Sequence, residues 1–71
     1  MTVCQLLYIC WAYEWVTVET MDEEPLCDVG EAGQVKTWPE VADRRVVTFF
    51  VGTRFVKSLN KSIPVLVIAV K

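Results

Sequence analysis

The chain contains no histidine. That removes at once the commonest general base and the commonest metal ligand. What remains for chemistry is three cysteines, two serines and nine carboxylates. Cys4 and Cys10 lie in a stretch without Lys or Arg, and Cys27 is flanked by Glu24 and Asp28. None therefore has a sequence neighbour that would lower its thiol pKa and make it a nucleophile. The cysteine spacings of six and seventeen residues fit no zinc pattern. If residues 4–10 are extended, Cys4 and Cys10 stand about 20 Å apart, beyond disulfide reach. We expect three reduced thiols packed as small hydrophobes, as in a reducing cytoplasm. Ser58 and Ser62 have no base placed beside them by the sequence.

Residues 22–31 gather five carboxylates, Asp22, Glu23, Glu24, Asp28 and Glu31. Their spacing is wrong for a calcium loop, which needs ligands at positions 1, 3, 5 and 12 around a central Gly. Gly30 and Gly33 lack the lysine and the strand-to-helix spacing of a phosphate loop, and the surrounding acids would repel phosphate. The ordinary role of such a segment is a solvated acidic loop.

Charge order is the most unusual feature. Residues 1–35 hold seven acids and no base, whereas residues 36–71 hold all seven bases and only Glu40 and Asp43 as acids. The halves carry −7 and +5 within a net charge of −2, an asymmetry that hints at a partner. Three readings follow. The halves fold together and their charges meet across a sheet or a dimer interface. Alternatively, the acidic loop docks on a basic surface of another protein. In the third, Arg44, Arg45, Arg54, Lys57 and Lys61 line one face and bind phosphate backbones; the net negative charge argues against it. Trp11, Tyr13 and Trp15 alternate as on one strand face. A base-stacking platform would want basic residues among them, so core or dimer interface is the better reading.

Positioning these groups falls to one small domain of 71 residues. A chain this short buries only about 60% of the surface it exposes unfolded. Its hydrophobic fraction of 54% is too high for disorder and in excess of what a small interior holds. We therefore expect a homodimer or a tight heteromeric contact. The apolar run 3–18 is interrupted by Glu14, which would sit badly inside a bilayer, and it has neither the basic start nor the cleavage site of a signal peptide. We read the chain as soluble and cytoplasmic, with no membrane partner.

The expected fold class is α+β, a small antiparallel β-sheet with one short helix. Val3–Thr20 reads as one long, bent strand or as two strands joined by a bend near Cys10, with a helix over Gln5–Val16 as runner-up. Met21–Lys36, rich in Asp, Glu, Gly and Pro, reads as a loop. Thr37-Trp38-Pro39-Glu40 has the form of a capping box and predicts a helix from Trp38. Val46–Val51 predicts a strand, Gly52-Thr53 a tight hairpin turn, with Phe50 facing Phe55, Thr48 facing Lys57 and Val46 facing Leu59. Asn60-Lys61-Ser62 predicts a second turn. The last strand, Ile63–Val70, should be buried on both faces, with Pro64 at its start or open edge. The competing architecture is strand, one long helix over 38–59, strand.

Without equipment for proton transfer, we expect no enzymatic activity and no cofactor. The favoured function is a non-catalytic protein-binding module that occludes a partner with a basic surface, contacted by Asp22, Glu23, Glu24, Asp28 and Glu31. Small accessory or inhibitory proteins of viruses and mobile elements work in this way, an expectation set by size and not by these residues. The alternative is a small nucleic-acid-binding protein using the basic C-terminal half.

Overall fold

Val65–Val70 carries apolar side chains on both faces, and such a strand must be covered on both. The computed structural model, which describes residues 1–71, places it inside a four-stranded sheet. In chain order the elements are α1 (Val3–Tyr8), β1 (Trp15–Thr20), β2 (Gly30–Glu31), α2 (Ala32–Val35), α3 (Pro39–Ala42), β3 (Val46–Val56) and β4 (Lys61–Val70). The sheet order is β2-β1-β4-β3. β3 and β4 form a long antiparallel hairpin, from Val46 opposite Val70 to Val56 opposite Lys61. β1 pairs parallel with the second half of β4, Val16 with Leu66 through Thr20 with Val70. This is a small α+β fold. The sheet is mixed where an antiparallel one was expected, and three short helices stand in place of one.

Strand alternation gives β4 two interiors. On one face Val16, Val18, Ile68 and Val70 join Val3, Leu6 and Leu7 of α1, Ala32 and Val35 of α2, and Val41 of α3. On the other, Val65 and Val67 meet Val56, with Trp15, Val29 and Ile63 at the margin. Each fully buried aliphatic side chain contributes about 1.5–3 kcal/mol. The ten-residue helix-covered cluster therefore outweighs the three-residue cluster behind it. Pro64 pairs with Thr53 in the half of β4 that precedes the β1 ladder. Its missing N–H therefore removes no bond to β1.

Several local expectations are corrected. Residues 3–20 are not one strand, and the runner-up helix over Gln5–Val16 is misplaced: α1 ends at Tyr8 and β1 begins at Trp15. The β-branched density that suggested a strand belongs to residues 15–20. At the front, Thr2 caps α1. Its hydroxyl accepts from the Gln5 N–H at 3.2 Å, and the Gln5 side-chain carbonyl accepts from the Thr2 N–H at 2.8 Å. That capping box lets the helical spacing of Val3, Leu6 and Leu7 reach the core. The box expected at Thr37 is absent. Its hydroxyl instead donates to the Gln34 carbonyl at 2.6 Å, and Trp38 stands at the N-cap of α3 without a side-chain cap bond, with Pro39 in the first turn. α3 stops after one turn, which also removes the long helix over 38–59.

Gly52 does not turn the chain. No glycine has positive φ, and β3 runs straight through residue 52 to Val56. Phe50 pairs with Val67 and Phe55 with Ser62, so the expected facing of Phe50 with Phe55, Thr48 with Lys57 and Val46 with Leu59 does not form. The turn is Lys57–Asn60, with Asn60 at φ 52°, a left-handed conformation that Asn tolerates. No helix is long and apolar enough to cross a membrane.

The two caps separate cleanly by mutation. Thr2→Ala should cost about 1 kcal/mol of unfolding free energy. Glu40→Ala, at the exposed partner position of the box that does not form, should cost under about 0.5 kcal/mol. Urea denaturation of both variants checks this; equal losses would contradict it.

Candidate functional site

The acidic segment is a loop with more order than its composition implies. At the end of β1 the Thr20 hydroxyl accepts from the Asp22 N–H at 3.3 Å and the Glu24 N–H at 3.2 Å. The Thr20 carbonyl accepts from the Glu23 N–H at 3.0 Å, and the Thr20 N–H donates to Glu24 at 2.9 Å. This closes a tight turn in which Glu23 takes φ 66°. The chain then returns along β1, with the Leu26 N–H donating to Val18 at 2.8 Å and Pro25 bridging opposite Glu19. β2 follows on the same edge, Gly30 opposite Val16. So the stretch 21–36, expected as one loop, contains a turn, an edge segment, β2 and α2.

The five proposed contact residues are divided by this geometry. Asp22, Glu23 and Glu24 sit exposed on the turn. Asp28 is exposed and lies 3.6 Å from Lys57, itself exposed; a pair this open adds little stability. Glu31 is half-buried beside α2, where its side chain makes no cap. Only Asp28 of the five is in an ion pair.

The carboxylate that is fully committed is Glu19, which lies outside the acidic segment. Its side chain is 6% exposed. Arg54 reaches across β4 to it with two parallel bonds, Nε to Oε2 at 2.7 Å and the terminal nitrogen to Oε1 at 3.1 Å. This fork geometry is the strong form of a carboxylate contact. It holds the Arg54 guanidinium pKa above its ordinary value: the hydrogen bond to Glu19 raises it most, burial partly opposes this, and the charges of Glu19 and Glu23 add to the rise. Gly52 makes room for it. A Cβ there would lie 3.1 Å from an Arg54 terminal nitrogen and 3.3 Å from Val67. The available signal was Glu19 at an alternate position in a strand buried on both faces, where a charge needs a partner. Gly52 at the i−2 position of Arg54 was the second signal.

A cavity of about 360 Å³ opens beside this pair. Thr17 and Glu19 of β1 form its floor, Glu23, Pro25, Cys27 and Asp28 one wall, and Arg54 and Phe55 the other. Burial pushes the Cys27 thiol pKa up, and the carboxylates of Asp28 and Glu40 add to this; polar contacts from Val18 and Thr17 pull it down. A thiol held protonated is a poor nucleophile. All three cysteines are free thiols, and no three His, Cys, Asp or Glu side chains converge as a metal site.

The candidate basic residues gather at the two ends of β3. Arg44 and Arg45 precede β3, near the C-terminal Lys71, whose carbonyl accepts from Arg44 at 3.4 Å. Lys57 and Lys61 flank the turn at the other end of β3, and Arg54 between them is bound to Glu19. The aromatics do not form a strand stripe. Trp11 and Tyr13 lie exposed in the α1–β1 connection, packed edge to face at 5.2 Å. Trp15 alone turns toward the smaller core.

The raised Cys27 pKa has a defined pH consequence. The folded chain holds this proton more tightly than the unfolded one. The associated stability is therefore complete below the ordinary thiol pKa and is lost as pH rises through the folded value. The urea midpoint should fall as pH rises above the ordinary thiol pKa of about 8.5, and fall less in Cys27→Ala; an identical decline in both would contradict the assignment. Searches for a matching family model, curated relative or solved structure found none for this chain.

Proposed function

We propose that this protein is a non-catalytic protein-binding module that captures a basic surface of a partner macromolecule with its acidic turn and occludes it. The observation that carries the reading is the state of Asp22, Glu23 and Glu24. They are exposed and free of ion pairs, on a turn whose backbone is fixed by bonds to Thr20 and Val18. A preorganised cluster of one sign loses little entropy on docking and steers a complementary surface. The thiol pKa values of Cys10 and Cys27 are raised, chiefly by burial, and the chain has no histidine for acid–base chemistry. The separation of Arg44 and Arg45 from Lys57 and Lys61 weighs against a continuous nucleic-acid track. An accessory or inhibitory role, in a cytoplasmic setting, fits a module of this size.

The test is affinity capture from native extract with the wild type and with the variant Asp22→Lys/Glu23→Lys/Glu24→Lys, read by mass spectrometry. A specific partner should elute as salt rises and should be lost from the charge-reversed protein, while circular dichroism stays unchanged. A partner retained by the folded reversed variant would overturn the reading.

A further inference from the structure

The sheet is closed on one side and open on the other. β2 and the returning acidic segment cover the outer edge of β1. β3, at the opposite edge, is covered only at its start, where the Val46 N–H donates to Met1 at 2.9 Å and Thr2 bridges opposite Arg45. From Val47 onward its outer backbone edge has no strand beside it. The side chains there are apolar and exposed: Val47 50%, Phe49 52%, Phe50 44%, Val51 72% and Phe55 54%. A long apolar edge of this kind templates pairing with another chain.

Edges are normally blunted by an outward Lys, a Pro or an inward charge. β3 has none of these between Val46 and Thr53. Its one cation, Arg54, is drawn over the sheet to Glu19. The bulge between Val46 and Thr48 lies at the start and leaves residues 48–56 in regular register with β4. We infer that β3 pairs antiparallel with β3 of a second copy of this chain, about a two-fold axis within Val47–Val51, joining two sheets into one.

The second copy is the occupant that the surface itself specifies. Antiparallel self-pairing sets Phe49 and Val51 of one copy beside the same residues of the other, on the same sheet face, and brings no charge into the centre. A two-fold contact also closes, so the edge is consumed and no open-ended fibre grows. Phe49 and Phe50, at about half exposure, leave about 200 Å² of ring surface for burial. Val47, Val51 and the ladder backbone extend this toward the roughly 800 Å² per partner of a stable interface. The inference stands apart from the acidic-turn reading, because none of Val47–Val51 lines the cavity beside the turn.

Sedimentation equilibrium of the full chain decides it, with amide hydrogen exchange as a second readout. The wild type should sediment at twice its 8.1 kDa mass at tens of micromolar, with slow exchange across 47–51. Val51→Lys, at the most exposed of these positions, should weaken the dimer at least about 100-fold and release those amides, with circular dichroism unchanged. If Val51→Lys unfolds, Phe49→Lys makes the same test. Asp22→Lys/Glu23→Lys/Glu24→Lys should remain dimeric. A monomeric wild type at several hundred micromolar, open-ended assembly, or a dimer that survives in both folded lysine variants would each overturn the inference.

Discussion

The Glu19–Arg54 contact decides how the charges of this chain are used. A carboxylate on a strand buried on both faces is costly unless it is paired and hydrogen-bonded. The only guanidinium that meets it comes from the far strand of the sheet, across β4. Arg54 thereby ties the second half of β3 to β1, forms one wall of the cavity, and is withdrawn from the sheet edge it would otherwise protect. One contact thus links the packing of the smaller core to the exposure of two surfaces.

The charge separation along the chain resolves into two populations. Glu19 meets Arg54 inside, and Asp28 stands loosely by Lys57 at the rim. Those contacts answer to the reading in which the halves fold together. Asp22, Glu23 and Glu24 stay outside on a turn whose geometry is set by backbone bonds and the Thr20 hydroxyl, so its shape does not depend on neutralising its charge. A turn held together by Lys or Arg partners would have little left to offer a second molecule.

What the sequence made legible was the strand that dominates the burial. Val65–Val70 could only be an interior strand, Pro64 could only stand near its open half, and mixed helix and strand followed. The helix at Pro39 was legible from proline, though not its length or cap. Three features were hidden for physical reasons. Thr2 and Gln5 make a capping box whose strength depends on α1 docking against residues far along the chain. Gly52 suggests a turn because glycine suits one, yet here its missing side chain serves a guanidinium that comes close only after folding. The parallel β1–β4 pair joins residues about fifty apart, which no local pattern reports. For the candidate site, the acidic turn was visible from composition, whereas the buried pair beside it needed the register of three strands.

A double-mutant cycle on Glu19 and Arg54, read by urea denaturation, tests the central claim most directly. The side chain of Glu19 is 6% exposed and that of Arg54 31%, so the two deletions should be unequal. Arg54→Met strands a buried carboxylate and should cost about 3 kcal/mol, whereas Glu19→Gln leaves a guanidinium that can reach water and should cost about 1 kcal/mol. The double variant should recover part of the larger loss, giving a coupling of at least about 1 kcal/mol. Equal single losses with coupling below about 0.3 kcal/mol would show that β3 and β1 are held together without this pair, and would contradict the account.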